Sequence, residues 1–219
     1  MSFLSRLFGS KDEPAQPKGK LTQRLERLEE EARNAAPGYV GSSYNRAGDM
    51  ALREGDPERA VGYYGRAIDA FLEDGQPEAA RGVANKIIRV RPHAVRTLCT
   101  LMWLDLAAKH SATALLHLRD YVEAAKEAKQ YALAAGQIYE MARLVPDREI
   151  LGAVADALDG LDFAKRADEV REWESKGGSP AVVTDPEALA IACLKAAARS
   201  NERLKAEEAK GSAEAGPKA

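Results

Sequence analysis

The side chains able to carry nucleophilic or metal chemistry are few: His93, His110 and His117, with Cys99 and Cys193. A zinc site needs ligands at short spacing, such as a CxxC pair, so that one turn of chain presents two of them. No CxxC occurs here, His93 follows Pro92 in a loop, and His110 and His117 fall in different predicted helices. Cys–His catalysis would need Cys99 beside His93 or His117, and a third group to orient the imidazole. No such constellation is legible, and there is no Walker loop or GxGxxG run. Both cysteines sit in apolar helical pattern, Thr97-Leu98-Cys99-Thr100-Leu101 and Ile191-Ala192-Cys193-Leu194, which reads as small buried hydrophobes in a reducing compartment. The expectation is a protein with no catalytic residue, no metal and no cofactor.

Charge offers a second kind of chemistry. Arg81, Lys86, Arg89, Arg91 and Arg96 follow one another with no acidic residue between them. They read either as a solvated helix face or as a basic patch for an acidic partner segment or phosphate. Asp156, Asp159, Asp162, Asp168, Glu169, Glu172 and Glu174 make the later part of the chain acidic. Oppositely charged ends would allow head-to-tail self-association. The net charge of −2 and the lack of aromatics interleaved with the basic residues argue against nucleic acid.

Phe3, Leu4, Leu7 and Phe8 lie at i, i+1, i+4, i+5 spacing, one face of a short helix. Ser10 to Lys20 follows as a flexible linker with Pro14, Pro17 and Gly19. The patch reads as a docked end, or as a tether for a partner groove or for weak membrane contact. It is too short for a secretory h-region, and no run approaches the ~20 apolar residues of a membrane helix. The cytoplasm is the expected location.

These residues have to be held by helices. Across 219 residues, apolar side chains make up 45% and aromatics only 6%, and the abundant alanine suits closely packed helices. No segment alternates with period two, so no strand is expected. Leu21 to Ala36 carries Leu21, Leu25, Leu28 and Ala32 on one stripe and stops at Pro37-Gly38. Asp56-Pro57-Glu58 starts a helix with a cap, a first-turn proline and an acid at the positive end of the dipole. The reading divides the chain into a flexible segment over 1–20, a helix over 21–36, a helical domain over 41–175, a capping helix over 184–210 and a disordered tail over 211–219.

The domain repeats itself. Ala60, Ala70, Glu73, Gln76, Ala80, Gly82, Arg89 and Pro92 recur 54 residues later as Ala114, Ala124, Glu127, Gln130, Ala134, Gly136, Arg143 and Pro146. Within the first unit, Gly55-Asp56-Pro57-Glu58-Arg59-Ala60 recurs as Gly75-Gln76-Pro77-Glu78-Ala79-Ala80. With Tyr44, Gly48, Ala51, Ala60, Tyr64 and Ala67 before a closing Pro92, the segment resembles the tetratricopeptide repeat family. The departure is that the helix from Pro57 serves two hairpins at once, giving three-helix units of 54 residues. The expected fold is all-α, a tetratricopeptide-like solenoid of stacked antiparallel helices.

The resemblance implies a non-catalytic adaptor that binds a peptide or helix of a partner protein and supports complex assembly. It places the concave face at Asn45, Asp49 and Arg53 in the first unit and at Arg96 and Trp103 in the second. Asp49 stands where a carboxylate clamp would want a neutral or basic donor, so no such clamp is expected. The alternative is a membrane-associated assembly factor tethered through residues 1–9.

Overall fold

A computed structural model describes residues 19–36 and 38–185, together with Ala188, Leu189, Ile191, Ala192 and Lys195. The 3–8 apolar patch, Cys193, most of the expected 184–210 helix and the 211–219 tail lie outside these residues. Among the described residues there are nine helices and no strand. They are α1 (Lys20–Arg33), α2 (Val40–Arg53), α3 (Pro57–Glu73), α4 (Pro77–Val90), α5 (Val95–Ala107), α6 (Ser111–Glu127), α7 (Tyr131–Ala142), α8 (Arg148–Asp159) and α9 (Ala164–Ser175).

The turns explain the layout. At Gly55, Gly75, Lys109, Lys129, Asp162 and Gly177 the backbone turns left-handed, with φ between 57° and 88°. After each of them the next N–H reaches back to a carbonyl one turn inside the helix, as in His110 N to Asp105 O and Gln130 N to Ala125 O, both at 2.8 Å. This closes the orphan carbonyls of the helix end and reverses the chain within two residues. Elsewhere the reversal is made at Pro92 and Pro146. The order is therefore two tight turns and a proline connection, then the same again, then two tight turns.

α1 falls into the same order. Leu25, Leu28 and Ala32 are buried among its described side chains, and Ala80, Val83 and Ile87, 55 positions later, are buried in α4. Pro37 precedes α2 as Pro92 precedes α5. α1 thus buries residues at the same spacing as α4.

Successive helices pack as antiparallel neighbours, since nearly all the contact lies between adjacent elements. Small residues set the approach. A Cβ on Gly48 would lie 2.5 Å from the Tyr64 ring, so α2 and α3 meet where only glycine fits. Two apolar clusters result. One gathers α1 to α5 around Tyr64, Ile68 and Phe71; the other gathers α5 to α9 around Trp103, Tyr121 and Ile138. α5 serves both: Leu101 and Leu104 join the first, and Leu98, Met102 and Trp103 the second. A helix with apolar residues on two opposite faces belongs in the middle of a fold.

After α9 the chain is strapped to α7. Ser179 Oγ donates to Val145 O at 2.6 Å, Ala181 N to Arg143 O at 3.1 Å, and Val183 N to Leu144 O at 3.0 Å. Asp185 then accepts from Ala188 N at 2.7 Å, an N-cap, and Leu189 is buried against the second cluster.

Candidate functional site

The residues expected on one concave face separate into different surroundings. Asn45 and Asp49 lie on α2, one turn apart, and both accept from Lys86 Nζ of α4, at 2.9 and 2.6 Å. Tyr64 OH donates to the same Asp49 oxygen at 2.7 Å, and Lys86 lies 5.4 Å from the Tyr64 ring centre. Burial pushes the Asp49 carboxyl up, but the bonds from Lys86 and Tyr64 together outweigh it and hold it below the ordinary range. Arg53 lines a shallow cleft with Leu28 of α1 and Met50. Arg96, in contrast, pairs with Asp69 of α3 at 2.6 Å, away from the Asn45–Asp49–Lys86 group.

Trp103 is corrected outright. It is 1% exposed and packs in the second core, so it presents nothing to a partner. The sequence signal was there in Leu101-Met102-Trp103-Leu104, an unbroken apolar run on a helix covered from both sides.

The basic run is largely paired with acceptors on other helices. Lys86 is held by Asn45 and Asp49, Arg91 donates to Glu58 of α3, Arg96 to Asp69, and Arg81 to Glu78 and Asp105. Of these five, Arg89 alone is exposed with no such pairing. The partners come from helices up to 41 residues away in sequence, which is why the run reads as uncompensated. At the acidic end, Arg171 likewise binds Asp156 and Asp159, and Tyr139 OH donates to Glu169.

A buried charged cluster was missed by the sequence reading. Asp105 of α5 has a side chain only 2% exposed. It accepts from His117 Nδ1 of α6 at 2.8 Å and from Arg81 Nη1 of α4 at 3.2 Å. His110 stands 3.7 Å from the other side of the carboxylate, and its Nδ1 accepts from Arg81 at 3.0 Å, since a guanidinium can only donate. Burial raises the Asp105 carboxyl, yet the His117 and Arg81 bonds and charges bring it below the ordinary value. The cluster ties three helices together. His117 takes one carboxylate oxygen and Arg81 the other, and the Asp105 side chain itself is almost wholly buried.

Cys99 is equally enclosed. Its Sγ donates to Gln137 Oε1 at 3.4 Å, Tyr121 OH donates to the same oxygen, and burial pushes the thiol up to about 12. A thiol so placed is a poor nucleophile. Among the described residues, no three His, Cys, Asp or Glu side chains are grouped to hold a metal ion.

A concavity lies between α6 and α8. These helices run parallel: Ser111 Oγ donates to Asp147 at 3.1 Å at one end, and Lys126 Nζ comes close to Gly160 at the other. Leu115, Leu118 and Val122 of α6 and Ala153 and Ala157 of α8 floor a groove of about 290 Å³. Arg119, Glu123, Lys126 and Asp156 rim it. The cap position of α6 is His110, with no side-chain bond, and the Ser111 hydroxyl goes to Asp147.

No protein-family model matches the chain, and no curated protein or solved structure is significantly similar to it. Among the described residues, no helix is long and apolar enough to cross a membrane.

Proposed function

We propose that the protein is a non-catalytic scaffold: a tetratricopeptide-like stack of helical units that binds a helix or extended peptide of a partner protein and so supports complex assembly. The observation that carries this reading is the α6–α8 groove, with an apolar floor and a charged rim about three helical turns long. Binding grooves for amphipathic helices have this composition, taking apolar anchors at i, i+3, i+4 and i+7. The twofold recurrence of tight turns and proline connections supports the stacked architecture. The α2–α4 face is a weaker candidate, because Lys86 already satisfies both Asn45 and Asp49.

The test is photo-crosslinking in living cells, with a benzophenone amino acid replacing Arg119 on the groove rim, or Arg59 on α3 as control. The groove position should capture a defined protein set that the control does not. Ala157→Trp, which fills the floor, should abolish that capture while circular dichroism stays unchanged. Identical capture at both positions removes the groove from consideration.

A further inference from the structure

The second junction between units is built with smaller side chains than the first. In the α3–α5 junction, Tyr64, Ile68, Leu101 and Leu104 are all buried in one cluster. The matching positions follow from the turns: Gly75 corresponds to Lys129, 54 residues on, and Lys109 to Asp162, 53 residues on. Tyr64 and Ile68 therefore correspond to Leu118 and Val122, and Leu101 and Leu104 to Val154 and Ala157. Each replacement removes side-chain volume, and the open groove of about 290 Å³ lies where Leu118, Val122 and Ala157 stand. A groove made in this way needs bulky apolar side chains to fill it.

The chain holds such side chains outside the described residues. Phe3, Leu4, Leu7 and Phe8 are its densest cluster of large apolar residues with no core element around them in sequence. Their spacing makes a face of less than two helical turns, about 9 Å long, against a groove whose Leu115–Lys126 edge is about 16 Å. Topology brings them to the correct end. Neighbouring helices alternate in direction, as shown by the cross-links Tyr64–Asp49, Arg91–Glu58, Arg81–Asp105, His117–Asp105 and Tyr121–Gln137. The start of every odd helix therefore lies at the same end of the molecule as the finish of every even one. The α1 start at Lys20 shares an end with Lys126 and Gly160, which line one end of the groove. The eleven residues from Gly9 to Gly19 reach about 36 Å when extended, more than three helix-to-helix spacings of about 10 Å.

We propose that the α6–α8 groove is occupied by residues 3–8 of the same chain, with Phe3, Leu4, Leu7 and Phe8 as the anchors, so that a partner helix must displace this segment to bind. The proposal rests on the groove reading above and adds its regulation: the segment is a built-in competitor.

The full-length purified protein tests it. With the benzophenone residue at position 119, irradiation should give crosslinked peptides joining the groove to residues 1–9 within one chain. A mixture of ¹⁴N- and ¹⁵N-labelled protein distinguishes the copies, and mixed-isotope crosslinks would overturn the proposal in favour of a second copy. Hydrogen exchange gives an independent readout: Phe3→Ser with Phe8→Ser should speed exchange over 115–126 about tenfold with circular dichroism unchanged. Unchanged exchange and no crosslink to residues 1–9 overturn the proposal. If the groove position still captures a partner in cells, the scaffold reading stands without it; if it captures nothing, both fall.

Discussion

Asp105 shows what one buried carboxylate does in an apolar helix. Asp105→Asn keeps the shape but removes the charge that His117 and Arg81 address, and should cost about 2–3 kcal/mol in urea unfolding at pH 7. The folded-state carboxyl is held low, so its contribution is full above the ordinary value of 3.8 and fades as pH falls through the lower folded value. The gap between wild type and Asp105→Asn should accordingly close in unfolding series taken below pH 4; a gap constant from pH 7 to 3 would contradict the charge assignment. Cys99 makes a second prediction. With its thiol pushed up to about 12, alkylation in a Cys193→Ser background should be governed by unfolding, and should accelerate sharply with urea. At Gly48, an added methyl meets the Tyr64 ring at 2.5 Å; Gly48→Ala should lower stability by about 1–3 kcal/mol despite the higher helix propensity of alanine.

At the scale of elements, the left-handed turns divide into cheap and strained ones. Gly55 and Gly75 adopt φ of 79° and 67° without penalty, whereas Lys109 and Lys129 hold 61° and 57° with a Cβ. Lys129→Gly should therefore raise stability by about 0.5–1 kcal/mol, read as a higher thermal midpoint, and Gly75→Ala should lower it by a similar amount. Helix positions were legible in the sequence because their signals are local: the Asp56-Pro57 start, the Asp147 cap and the apolar stripes of α3 and α4 all act within a few residues. The site was less legible, because its determinants are distant. Nothing near Lys86 in sequence announces Asp49, and nothing near Asp105 announces Arg81. Trp103 was the ambiguous case: a large amphipathic ring in the second half of a helix fits a groove or a core, and only the covering of α5 from both sides decides it. The α6–α8 groove escaped notice for a related reason, since it arises from side chains smaller than their counterparts one unit earlier rather than from any motif.

For the whole molecule, the two apolar clusters meet on α5, which no terminal helix does. Amide exchange should be slowest in α5 and fastest in α1 and α9, where a helix has neighbours on fewer sides; α5 exchanging as quickly as α9 would show that the clusters do not share it. The nearest-neighbour packing also has a bearing on how the chain is made. Because each helix finds its partner in the segment just before or after it, few contacts wait for distant residues, and low contact order goes with rapid folding. A chain of this kind can take up structure hairpin by hairpin as it emerges from the ribosome, the α1–α5 cluster closing while the residues of α8 and α9 are still being translated.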